Sequence, residues 1–128
     1  YRRQRQMCIR DSSTVMDADL LITDWSDISF EYAFTTLKPV LFIDTPMKIM
    51  NPEYDKIEQK PINVKLRNVI GKAISVNDID NILEISTDML KQKDMYRKQI
   101  ADAREKHIFN IGKSRILSGK YIMKRLME

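Results

Sequence analysis

Asp19-Leu-Leu-Ile-Thr-Asp-Trp-Ser-Asp-Ile-Ser-Phe-Glu-Tyr-Ala-Phe-Thr-Thr-Leu-Lys-Pro-Val-Leu-Phe-Ile-Asp44 decides the fold. Leu20-Leu21-Ile22 is a short unbroken apolar run between polar residues, the pattern of a strand covered on both faces in a parallel sheet. Thr23-Asp24-Trp25-Ser26 interrupts it. Ser26 is placed to cap a helix running to about Leu37, with Phe30, Ala33, Phe34 and Leu37 at helical spacing and Pro39 ending it. A second apolar strand, Val40 to Ile43, follows at once. Strand, helix and strand in so short a span make a βαβ crossover, which requires the two strands to run parallel.

Outward from this unit, Pro46, Asn51-Pro52 and Pro61 are too closely spaced for long helices, so this stretch is expected at the surface with a turn begun at Pro52. Asn63 is expected to cap a short helix closed by Gly71. Ala73 to Val76 reads as a third strand. Asn77 or Asp78 opens a helix with Ile79, Ile82, Leu83, Met89 and Leu90 on one face, and Met95 to about His107 forms the next. Gly112 separates that helix from a last one, Ser114 to Leu126. The expected fold class is α/β: a Rossmann-like parallel sheet with flanking helices.

The chain has 128 residues, of which 43 % are hydrophobic, enough for one core. No apolar run approaches the ~20 residues of a membrane-spanning helix. Cys8 is the single cysteine and His107 the single histidine, so neither an internal disulfide nor a zinc-type cluster can form, which fits an intracellular chain. The net charge of +4 is unevenly placed. Residues 1–10 hold Arg2, Arg3, Arg5 and Arg10 without an acid; residues 11–90 carry 7 Lys and Arg against 14 Asp and Glu; residues 91–128 carry 11 against 4. The leader, residues 1–12, has no buriable face and is expected to be disordered or non-native. Its Arg5-Gln-Met-Cys-Ile-Arg-Asp-Ser12 resembles translated sequencing-adapter read-through, in which case the chain is part of a longer protein.

In an open parallel sheet ligands bind outside the carboxyl ends of the strands, and Thr23 to Glu31 occupies that place. Free N–H groups at a helix start, with the hydroxyls of Ser26 and Ser29, would converge on a phosphate. Glu31, one turn further on, can accept from a sugar hydroxyl. The same residues also suit an N-cap serine, a solvated acid and a buried tryptophan, and spacing alone favours that plainer reading. Asp27 satisfies the helix dipole itself and repels an anion unless it turns away or holds a cation.

Ala18-Asp-Leu-Leu-Ile-Thr-Asp-Trp-Ser-Asp-Ile-Ser-Phe-Glu-Tyr-Ala33, with Lys38-Pro-Val-Leu-Phe-Ile43, resembles the C-terminal half of CDP-glycerol glycerophosphotransferases, the teichoic-acid polymerase family of GT-B fold. The family pattern is an apolar strand, Thr-Asp-Tyr-Ser-Ser, an aliphatic residue, Ser-Phe-Asp and Tyr. Here Trp25 replaces the tyrosine, Asp27 the second serine and Glu31 the aspartate. The resemblance is strong through Ile43 and weaker to Leu126, with Gly112-Lys113-Ser114 similar to the segment opening the family's last helix. It implies that residues 13–128 form part of the nucleotide-binding GT-B domain, with Thr23, Asp24, Ser26, Asp27, Ser29 and Glu31 lining a substrate site. Ser26, Ser29 and the helix start would hold the diphosphate of CDP-glycerol or a related CDP-polyol, with Glu31 near the ribose.

The family's catalytic histidines lie upstream and His107 matches neither, so this chain is expected to bind without turnover. The polymer acceptor belongs to the N-terminal half. No cofactor or metal is implied, and the enzyme would work in the cytoplasm, peripherally at the inner face of the membrane.

Other signals are weaker. Gly112-Lys113-Ser114 ends like a phosphate-binding loop, but that motif's first glycine would fall on His107. Asp78-Ile79-Asp80 is ordinary acid placement at a helix start. Asp44, Thr45 and Lys48 follow the second strand and can line the same crevice. In the basic tail Lys113, Arg115, Lys120, Lys124 and Arg125 interleave with Ile116, Tyr121, Ile122 and Met123, which suits a partner domain or an anionic membrane surface better than nucleic acid. The alternative functions are a non-catalytic nucleotide or phosphate sensor of doubly wound type, or a fragment of another GT-B glycosyltransferase.

Overall fold

A computed structural model describes residues 14–47, 51 and 53–128 of the chain. The leader, residues 1–12, and the positions of Lys48 and Pro52 lie outside the described residues.

Three strands, β1 (Leu21–Thr23), β2 (Val40–Asp44) and β3 (Gly71–Ser75), form one sheet in the order β1-β2-β3. All pairings are parallel, with Leu21 opposite Val40 and Val40 opposite Gly71. The expected α/β class with a parallel sheet and flanking helices therefore stands. Val40, Leu41 and Phe42 of the central strand are buried, as its position between two neighbours requires. β1 departs from expectation: it is an edge of the described sheet, and Ile22 is 45 % exposed rather than covered.

Helix α1 (Ile28–Thr36) connects β1 to β2. Its inward face is Ser29, Tyr32 and Ala33, all at 0 % exposure, while Phe30 and Phe34 flank the core partly buried. The helix stops before Pro39, as expected, by a left-handed residue: Leu37 has φ 58 and its amide donates to the Ala33 carbonyl at 2.8 Å. A leucine there carries the cost of a conformation that suits glycine, and its side chain packs against the core in return.

After β2 the chain makes a short 3-10 turn, Tyr54–Lys56, then α2 (Ile62–Lys65) and α3 (Arg67–Ile70). One expectation is corrected here. Asn63 lies inside the first turn of α2, whose N-cap is Pro61, so it does not cap it. Gly71 does close a short helix, as expected, standing at the C-cap of α3, but it does so in extended backbone and opens β3 at once. Its lack of a side chain serves a close approach, because a Cβ there would run into the Val40 carbonyl of the paired strand.

A 3-10 stretch, Val76–Asn81, leads from β3 into α4 (Ile82–Lys91), and Ser75 opens it by accepting from the Asn77 amide at 3.2 Å. Asn77 and Asp78 therefore lie inside the turn instead of starting a helix. Of the apolar face expected here, Met89 is buried and Ile82 partly so, whereas Leu83 is 78 % exposed. Helix α5 (Lys93–His107) closes the core with Tyr96, Ile100 and Ala103 against α3 and α1. Gly112, at φ 73, breaks the chain before α6 (Ser114–Met127), which buries no residue.

Candidate nucleotide-binding crevice

The turn between β1 and α1 lies at the carboxyl edge of the sheet. Asp24, Ser26, Asp27 and Glu31 are exposed there, and Thr23 and Trp25 are half-buried. The helix starts without help from a side chain. Asp27, the N-cap, has helical dihedrals and no capping hydrogen bond, and the Ser26 carbonyl instead accepts from the Ser29 amide at 3.2 Å. The expectation of a capping Ser26 hydroxyl is thus replaced by a backbone turn. The Phe30 amide likewise donates to the Asp27 carbonyl at 3.0 Å, so the amides left open to an incoming acceptor at the helix start are those of Asp27 and Ile28.

Ser29 is the main correction to the candidate site. Its hydroxyl is enclosed and donates to the Ser26 carbonyl at 2.8 Å, so it faces the core and not the crevice. Helical geometry is the cause: Ser29, Tyr32 and Ala33 share the face turned to the sheet, and the small hydroxyl fits there by satisfying itself locally. Ser26, Asp27 and Glu31 remain at the surface.

Arg67 is the residue beside the candidate site that sequence reasoning missed. It is 6 % exposed, and its guanidinium donates to Asp44 Oδ1 at 2.7 Å, the Ile43 carbonyl at 3.3 Å and the Asp24 carbonyl at 3.4 Å. The cation lies 3.7 Å from the Trp25 ring centroid and 4.8 Å from that of Phe42. Its Nε is buried without a partner. Arginine suits this position because a planar, weakly hydrated cation can stack on rings while its fork ties two strand ends together. Trp25 completes the tie by donating its indole N–H to the Thr45 carbonyl at 2.7 Å. Trp25 is therefore a structural residue that ties the turn after β1 to Thr45, just beyond β2. Nothing in the local spacing marked Arg67, since its hydrogen-bond partners are 23 to 43 positions away.

On its far side α1 borders a cleft of about 570 Å³ lined by Phe30, Glu31, Phe34, Ile62, Arg104 and Ile111, among others. His107 lies elsewhere, in a groove with Asn68 and Gln99. No group of three or more His, Cys, Asp or Glu side chains able to hold a metal occurs among the described residues.

No family model, curated protein or solved structure matches the chain.

Proposed function

We propose that the chain is the donor-nucleotide-binding part of a transferase like the CDP-glycerol glycerophosphotransferases, which moves polyol phosphate from a CDP-activated donor to a cell-wall or capsular polymer. The observation that carries the reading is the open start of α1 at the carboxyl edge of a parallel sheet, backed by the buried Arg67 cation. Backbone N–H groups and the helix dipole favour a diphosphate at that point. Arg67 makes the edge rigid by locking Asp24, Ile43 and Asp44 together, so the donors are positioned before the ligand arrives. Asp27 opposes binding when its carboxylate faces the ligand. The resemblance from Ala18 to Ile43 favours CDP as the nucleotide, and the exposed turn at the carboxyl edge of the sheet supports that reading.

Calorimetric titration of CDP and CMP tests the reading. CDP is expected to bind more tightly than CMP, and Asp27→Ser, which removes a like charge, to tighten CDP further. CDP heats indistinguishable from buffer would overturn the proposal. The chain itself is given a binding role, because its single histidine stands away from the crevice.

The same reading assigns α6 to an anionic membrane surface at the inner face of the membrane. Arg115, Lys120, Lys124 and Arg125 sit among exposed Ile116, Ile122, Met123 and Leu126 on this helix, with Glu128 its nearest acid. No helix among the described residues is long and apolar enough to cross a membrane. Sedimentation with phosphatidylglycerol vesicles but not with phosphatidylcholine vesicles is the expected result, and equal recovery from both would contradict it.

A further inference from the structure

Arg104 of α5 carries donors from which nothing among the described residues accepts. The side chain is partly buried beside the end of α1, where Nη1 donates to the Phe34 carbonyl at 3.0 Å and so holds the guanidinium in place. Nε is enclosed without an acceptor, and Nη2 has no partner among the described residues. None of the ion pairs among those residues includes Arg104. With Nη1 taken, what remains is the edge of the guanidinium on which Nε–H and Nη2–H point the same way. That edge is the fork a carboxylate meets with two parallel, charge-assisted hydrogen bonds.

The rest of the cleft is apolar. Phe30 and Phe34, with ring centroids 5.8 Å apart, line it together with Ile62 of α2 and with Ile108 and Ile111 of the segment after α5. At about 570 Å³ it has the size of a small-molecule site, and such sites are mostly apolar with a few directing polar groups. An apolar body alone would cover the walls and leave the cation without a counter-charge, whereas a small anion alone would leave the walls in water. Glu31, exposed on the same cleft, sets a limit: its carboxylate opposes any further negative charge. We infer that this cleft binds a monocarboxylate with an apolar body, aliphatic or aromatic. The carboxylate accepts from Nη2 and Nε of Arg104, and the body lies against Phe30, Phe34, Ile62 and Ile111. No residue of the turn from Thr23 to Ile28 lines the cleft, so the inference stands apart from the nucleotide reading.

The test is calorimetric titration of the chain with octanoate, 3-phenylpropanoate, the two corresponding alcohols, acetate and octyl phosphate, repeated with Arg104→Met, Arg104→Lys and Ile111→Glu. At least one of the two acids is expected to bind about tenfold or more tightly than its alcohol and than acetate, and the tighter acid identifies the body as aliphatic or aromatic. Arg104→Met should abolish the margin of acid over alcohol, and Arg104→Lys should restore only part of it, because an ammonium lacks the parallel fork. Ile111 is 57 % exposed, so a carboxylate there obstructs the cleft while leaving the core alone. Ile111→Glu should therefore weaken the acid about tenfold or more at an unchanged urea midpoint. Acids that bind no better than their alcohols and acetate, or that keep full affinity in Arg104→Met or in Ile111→Glu, overturn the inference. Octyl phosphate, with its greater negative charge, should bind more weakly than octanoate, and equal or tighter binding overturns the restriction to a single charge. Sedimentation of the unliganded chain closes the test: a dimer that Ile111→Glu dissociates would put a second copy in the cleft and overturn the ligand, whereas a sedimentation profile that Ile111→Glu leaves unchanged is the expected result.

Discussion

Tyr32 shows how one buried side chain sets the limits of the structure. Its hydroxyl donates to the Ala18 carbonyl at 2.7 Å, tying α1 to the approach to β1. Burial pushes the phenol up to about 12, with Thr36 opposing and the Asp19 charge adding. The folded form therefore holds its proton where the unfolded form, near 10, has lost it. Tyr32 stabilises the fold fully below pH 10, and that contribution is lost between about pH 10 and 12. Chemical denaturation at pH 8 and pH 11.5 should show a fall in stability that is smaller in Tyr32→Phe; an equal fall in both proteins would contradict the assignment.

Ser29 and Gly71 give two more tests at this scale. Ser29→Ala removes a local hydrogen bond inside the core, so it should cost about 1 kcal/mol of stability and leave CDP affinity within twofold. A tenfold loss of affinity would put its hydroxyl back in the crevice. Gly71→Ala forces β2 and β3 apart at Val40, and a loss of roughly 1–3 kcal/mol is expected in urea denaturation. Unchanged stability would mean that the strands can separate without penalty.

At the scale of elements, the parallel unit from Leu20 to Ile43 was legible because unbroken apolar runs and helical spacing are local properties of the chain. Less legible was which side of α1 faces inward. Phe30 and Phe34 stand out by size, yet the sheet sits under the smaller Ser29 and Ala33 and the long Tyr32, since close helix-to-sheet contact favours them. Leu83 and Ile79 likewise carry the right spacing and lie exposed, because 3-10 winding from Val76 to Asn81 turns that segment away from the α-helical face. The open start of α1 was visible as a break in the pattern, but Arg67 was not. Its partners converge from the end of β2 and the turn after β1, and only the folded chain brings them together. Arg67→Met is expected to cost about 2–3 kcal/mol, as the carbonyls of Asp24 and Ile43 and the Trp25 face lose their cation. Arg67→Lys should recover only part of this, because an ammonium cannot span both strand ends. Full recovery with lysine would show that charge alone matters.

Across the whole molecule, the core and the last helix are energetically separate. α6 buries no side chain, whereas Tyr32, Phe42, Ile70 and Ile100 are enclosed between the sheet, α1, α3 and α5. Removing residues 114–128 should therefore shift the urea midpoint by less than the equivalent of about 0.5 kcal/mol. The apolar side chains that α6 leaves in water mark a contact surface instead of a core.

The central claim is that the start of α1 holds the phosphates, and amide chemical shifts report on it atom by atom. In a ¹⁵N-labelled sample titrated with CDP, the account predicts saturable shifts that are largest at the Ser26, Asp27 and Ile28 amides and small at the amide of the enclosed Ser29. Largest shifts at the far end of the sheet, around Lys38 and Arg97, or no saturable shift from residue 23 to residue 31, would contradict it.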